Sequence, residues 1–93
     1  MANALEMNDD GTSNSVCITR SGLTSERVLC VVDDENKNVY LWLGKEAHVR
    51  KRFVGAQTAS RLRDNKGTGF RVRSLDEGNE PSEFFNSLEH SDC

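Results

Sequence analysis

Two histidines (His48, His90), three cysteines (Cys17, Cys30, Cys93) and the oxygen-rich run Asp33-Asp34-Glu35-Asn36 are the side chains of this 93-residue chain with the chemistry for catalysis or metal binding. Acid–base or nucleophilic catalysis needs several such groups gathered with shifted pKa values. No serine–histidine–aspartate order stands out, His48 falls on a helix flank, and His90 falls in a terminal segment. An odd number of widely spaced cysteines without a C-x-x-C pair makes neither a zinc site nor a disulfide framework. Reduced thiols are expected, with Cys17 and Cys30 serving as small hydrophobes inside strand-like runs. The acidic run lacks the long loop and closing bidentate glutamate that calcium favours, so it reads as a solvated turn. Gly67-Thr68-Gly69 lacks the lysine of a phosphate loop and follows a helix instead of a strand. No enzyme activity and no cofactor are expected.

Charge is more informative than any of these groups. The formal net charge is −3, but it divides unevenly. Residues 1–44 carry three basic and seven acidic side chains, residues 45–73 carry nine and two, and residues 74–93 carry none and six. A basic middle between acidic ends predicts a polarised surface, which bears on partners more than on fold. No apolar run is long enough for a membrane span, and Met1 to Ser15 has neither the basic nor the apolar region of a signal peptide. A cytoplasmic monomer is the expectation.

The elements that must position the basic segment follow from periodicity. Residues 1–15 are rich in Asn, Asp, Ser and Gly and are read as a mobile tail, with one domain over 16–90 and a C-terminal end at 91–93. Val16 to Arg20 suggests a first strand. Arg27 to Asp33 is a continuous apolar run suited to a strand buried on both faces, and Val39 to Leu43 is its hairpin partner across a polar turn. Glu46 to Arg63 reads as the one long helix. At 100° per residue it carries two apolar stripes: Val49, Phe53, Ala56 and Ser60 on one side, and Ala47, Val54, Thr58 and Leu62 almost opposite. A helix lying on a sheet needs only one. Arg50, Lys51 and Arg61 flank the stripes on one side, with His48, Arg52 and Ala59 on the other. Asp64-Asn65-Lys66-Gly67 is the stop signal. Phe70 to Leu75 alternates as a half-exposed strand, and Pro81 opens a short helix bearing Phe84, Phe85 and Leu88. The order β–β–β–α–β–α predicts an α+β fold, a small mixed sheet covered by helices.

Several of these segments together resemble a gelsolin-homology domain, the repeated unit of gelsolin, villin and severin. They are the hairpin Val31-Val32-Asp33 to Val39-Tyr40-Leu41-Trp42-Leu43-Gly44-Lys45 with its Trp-x-Gly ending, the tripeptide Arg63-Asp64-Asn65, and Glu77-Gly78-Asn79-Glu80-Pro81 before the second helix. The resemblance covers Arg27 to Leu88. It implies a mixed central sheet sandwiched between a long and a short helix, and actin as partner. It also assigns the stripes: Ala47, Val54, Thr58 and Leu62 to the sheet, and Val49, Arg50, Phe53, Ala56, Gln57, Ser60, Arg61 and Asp64 to a cytoskeletal actin-binding face that sequesters monomers or caps filaments. Family members that bind calcium use an Asp and a Glu at positions that hold Val28 and Lys51 in this sequence. The resemblance therefore implies no metal at that site, with the Lys51 ammonium replacing the cation and pairing with a carboxylate. One family strand is expected to be missing or reduced. The alternatives are a scaffold domain of the same fold that binds another protein or itself, and acidic-lipid or nucleic-acid binding through Arg50, Lys51, Arg52, Arg61 and Arg63. Nucleic acid is disfavoured, because few aromatics accompany the cations.

Overall fold

Val28 to Asp33 and Asn38 to Leu43 alternate apolar side chains toward both faces of a sheet, and this double burial organises the molecule. The computed structural model describes residues 2–90, with side chains from 3 to 89. The strands are β1 (Ala2–Met7), β2 (Ser13–Ile18), β3 (Val28–Asp33), β4 (Asn38–Leu43) and β5 (Arg71–Asp76), and the helices are α1 (Val49–Lys66) and α2 (Ser82–His90). A 3-10 turn spans Arg20–Gly22. The sheet runs in the order β2-β1-β3-β4-β5. All pairings are antiparallel except β4 with β5, which α1 connects as a crossover. Such parallel pairing needs a connection of this length. The long helix covers one face and the short helix the other, as the resemblance implies.

Successive residues of the central strands feed two separate cores. Leu29, Val31, Tyr40 and Trp42 pack with Leu75, Phe84 and Leu88 under α2, where Tyr40 and Phe84 meet edge-on at 5.2 Å. Val28, Cys30, Val39 and Leu41 pack with Met7 and Ala59 under α1, joined by Val54, Leu62, Phe70 and Val72. Val72 and Leu75 therefore serve opposite faces of the sheet. Cys30 behaves as the small hydrophobe expected. Burial pushes its thiol up to about 12. Cys17 does not: it lies exposed on β2 and is disulfide-bonded, so the expectation of reduced thiols fails there. Cys93, like the C-terminal end at 91–93, lies outside the described residues.

The N-terminal segment departs most from expectation. Residues 2–15 form no tail. They build β1 and the first half of β2, and β1 lies inside the sheet between β2 and β3. The strand read at Val16 to Arg20 is in place only through Ile18. Ala4 and Met7 are buried, so small and unbranched residues fill a position where β-branched ones were sought. The turn has its own chemistry. Asp10 Oδ1 accepts from the Thr12 hydroxyl at 2.6 Å and the Thr12 amide at 3.0 Å, and Gly11 takes φ +91°, a conformation glycine adopts without strain. Among the described residues the sheet thus has five strands, two of them supplied by the segment read as a tail and the strand that follows it.

Beyond β5, Glu80 closes two donors at once. Its Oε2 accepts from the Trp42 indole nitrogen at 2.8 Å and its Oε1 from the Gly78 amide at 2.9 Å. Trp42 is fully buried, and an orphaned buried donor costs about 1–3 kcal/mol. Glu80→Ala is expected to lose about that much in urea unfolding. Glu80→Gln, whose amide oxygen can still accept, is expected to recover most of it.

Candidate functional site

Whether α1 has a face to spare depends on how it sits on the sheet. The helix starts at Val49 and ends at Lys66, three residues later at each end than its pattern predicts. Residues 44–48 are held elsewhere: the Gly44 amide donates to Arg27 O at 2.9 Å, and the Glu46 amide to Ser25 O at 2.9 Å. Those bonds hold the chain out of the helix until His48. At the far end Asp64 and Asn65 stay helical, and Gly67, at φ +99°, makes the stop.

The residues nearest the sheet are Gly55 and Ala59, both buried. A Cβ at Gly55 would fall 2.6 Å from Val28 Cγ1 and 2.9 Å from Leu41 Cδ1, so the helix backbone approaches the sheet more closely than a side chain permits unless Val28 and Leu41 shift. The Cys30 thiol donates to Gly55 O at 3.7 Å across this contact. Ala47, Val54 and Leu62 pack on the sheet as expected, and Thr58 is half-buried at the margin. The predicted stripe thus straddles a centre line of small residues that hydropathy does not mark.

On the opposite side, Val49 is 82% exposed and Phe53 63%, the two large apolar side chains of the described residues that stand out in this way. They are four residues apart and so lie one turn above the other. Arg50, Ala56, Gln57, Arg61 and Asp64 are exposed with them. Ala56, Gln57, Ser60, Arg61 and Asp64 line one shallow depression. Ser60 is the exception, half-buried where full exposure was expected. The structure therefore gathers the sequence-derived residues on one helix face.

Sequence reasoning missed the hairpin beside that face. Gly11 and Thr12 of the β1–β2 turn and Ser13 at the start of β2 line a groove with Thr58, Arg61 and Asn65 of α1. The Thr12 hydroxyl holds the Asp10 carboxyl below its ordinary range, with the Thr12 amide adding to it and Arg50 making a smaller contribution. A segment read as a tail cannot be placed next to a helix. The Asp10-Gly11 pair was the available signal.

The basic run does not form a cluster. Arg52 folds back, donating from Nη2 to Gly44 O at 2.9 Å and from Nε to Ala47 O at 3.3 Å. Lys51 Nζ donates to the backbone carbonyl of Glu26 at 3.2 Å, which corrects the expected pairing with a carboxylate. Arg63 pairs with the adjacent Asp64. Arg50 and Arg61 remain as the exposed cations of the face. Among the described residues no group of three His, Cys, Asp or Glu side chains is placed to hold a metal, and no helix is long and apolar enough to cross a membrane. Asp33 of the acidic turn caps its own loop, accepting from the Asn36 amide and side chain.

No protein-family model matches the sequence, and no curated protein matches it. Solved structures do. A chain in a crystal structure of Thorarchaeota ProGel in complex with rabbit actin superposes with a TM-score of 0.86 at 32% identity, over 95% of this chain and 99% of that one. A chain in the Thorarchaeota 2DGel3 complex with rabbit actin gives 0.73 at 26% identity, over 91% of this chain but 44% of the other.

Proposed function

Since the chain belongs to the gelsolin-homology family, by its 32% identity over nearly its whole length to a gelsolin-like relative, we propose that it is a single-domain actin-binding module that docks the outer face of α1 into a groove on actin. In this reading Val49 and Phe53 enter an apolar cleft, Ala56, Gln57 and Ser60 allow close approach, and Arg50, Arg61 and Asp64 make the polar rim. The module acts without catalysis as a cytoplasmic monomer that sequesters actin monomers or caps filaments. The observation that carries it is an exposed Phe53 and Val49 on a helix whose other face is already committed to the sheet. Both similar chains come from complexes with actin. Dispersal of Lys51, Arg52 and Arg63 into local bonds counts against a lipid or nucleic-acid surface, which needs cations presented together.

The test is a pyrene-actin assembly assay run with calcium and with chelator. Slowed or limited assembly in both conditions is expected, and normal assembly in both would refute the proposal. Calcium independence rests on Val28 and Lys51 at the two positions where the resemblance places carboxylate ligands, since a hard divalent cation needs oxygen donors. Calcium is expected to leave the melting temperature of the free protein unchanged. A calcium-dependent rise reversed by chelator would show a site that this reading omits.

A further inference from the structure

The first two turns of α1 carry Val49, Arg50 and Phe53, yet the helix has weak means of fixing its own start. His48 at the N-cap makes no side-chain capping bond, and the first turn holds no acidic residue. A helix start usually depends on both. The segment that leads into it is held from outside. Glu77, just past the end of β5, accepts from the Lys45 amide at 2.8 Å through Oε1 and from the Ser25 hydroxyl at 2.9 Å through Oε2. Its own amide donates to Leu43 O at 3.0 Å, which locks it against the end of β4. One carboxylate therefore joins three segments that are distant in sequence: the loop before β3, the turn after β4, and the turn after β5.

We infer that Glu77 is a positioning residue for the binding face: by bridging the Lys45 amide and the Ser25 hydroxyl it fixes the segment from which α1 starts, and so the placement of Val49, Arg50 and Phe53. The inference rests on the function proposed above but has a consequence in the free protein as well. Arg52 from the helix itself also reaches back to Gly44 O, so the Gly44–Lys45 turn is gripped from both sides. The Lys45 amide first, and the Ser25 hydroxyl after it, hold the Glu77 carboxyl below its ordinary value of 4.5. A carboxylate with a depressed folded-state pKa stabilises above its unfolded value and loses that effect as pH falls through the folded one. The stability difference between the native protein and Glu77→Gln is accordingly expected above pH 4.5 and should shrink below it.

The experiment compares the native chain with Glu77→Ala, Glu77→Gln and Ser25→Ala, each with and without Phe53→Ala. Hydrogen exchange in the free protein comes first. Glu77→Ala is expected to speed exchange about tenfold or more at the Lys45 amide and at the Arg52 amide, which closes the first helix bond to His48 O at 3.2 Å, while β3 and β4 amides keep their protection. Glu77→Gln, which keeps an acceptor for Lys45, should restore much of it. Actin affinity comes second. Glu77→Ala should weaken binding about tenfold in the native background but less than about twofold beside Phe53→Ala, since residues acting through one another are not additive. Equal losses in both backgrounds, or unchanged exchange across 45–53, would overturn the inference. If Glu77→Ala fails to fold, Ser25→Ala removes one arm of the bridge and gives the same comparison. A native chain that does not bind actin refutes the proposed function alone, and the exchange data still decide whether Glu77 holds the start of α1.

Discussion

Gly44→Ala is expected to be the most damaging single-methyl change in the molecule. A Cβ there would lie 2.2 Å from Ser25 O and 2.8 Å from Arg27 O, both backbone atoms. Backbone held in paired strands and turns cannot give way as the end of a side chain can. Overpacking of this kind costs about 1–3 kcal/mol, and with no flexible atom to yield we place Gly44→Ala at the upper end. Gly55→Ala is the informative comparison. Its Cβ would meet side-chain atoms, Val28 Cγ1 and Leu41 Cδ1, which must shift but are not fixed by the backbone, and alanine regains about 1 kcal/mol of helix propensity over glycine. Urea unfolding with unchanged m-values should therefore rank Gly44→Ala well below Gly55→Ala. The reverse order would mean that the contact between residues 25–27 and 44–46 is looser than described.

Phe53→Ala should have the largest effect on binding and almost none on the fold. The ring is mostly exposed and packs in neither core, so removing it from the free protein deletes little burial and leaves a better helix former behind. In a complex the same ring would be covered, and burying it contributes roughly 2 kcal/mol, or about thirty-fold in Kd. Anchors of this size near the centre of an interface dominate its affinity. Arg50→Glu should act differently, slowing association and weakening its salt dependence, because a rim charge steers encounter more than it holds the complex. Sedimentation with actin and stopped-flow mixing separate the two effects. Native affinity in Phe53→Ala would remove α1 from the interface, and a dimer lost on the same substitution would point instead to self-association.

How much of this was legible depended on how local each signal was. The β3–β4 hairpin and the strand at Arg71–Asp76 could be read because their alternation lies in neighbouring residues. Both apolar stripes of α1 were visible for the same reason. β1 was not: Ala-Asn-Ala-Leu-Glu-Met has little strand preference alone, and it becomes a strand through pairing with Val16 and Val31, well removed in sequence. Propensity cannot register a strand that its neighbours impose. The centre line of α1 escaped for a related reason. Gly55 and Ala59 matter for what they lack, and a hydropathy pattern rewards only what is present. Lys51, Arg52 and Glu77 were ambiguous as isolated charges, since the carbonyls and amides they satisfy belong to backbone that only folding brings close.

The close seating of α1 on the sheet also bears on the thermodynamics of any encounter. A helix whose backbone lies against β3 and β4 through Gly55 and Ala59 has little room to roll or shift. The apolar stripe of its outer face, between the longer Arg50 and Arg61 of the rim, is made of stiff or short side chains: β-branched Val49, Phe53 with two side-chain torsions, and Ala56. Ordering such groups at an interface costs little conformational entropy compared with long charged chains. That stripe is preorganised, and mutations that loosen the helix seat should appear mainly as a less favourable entropy of binding.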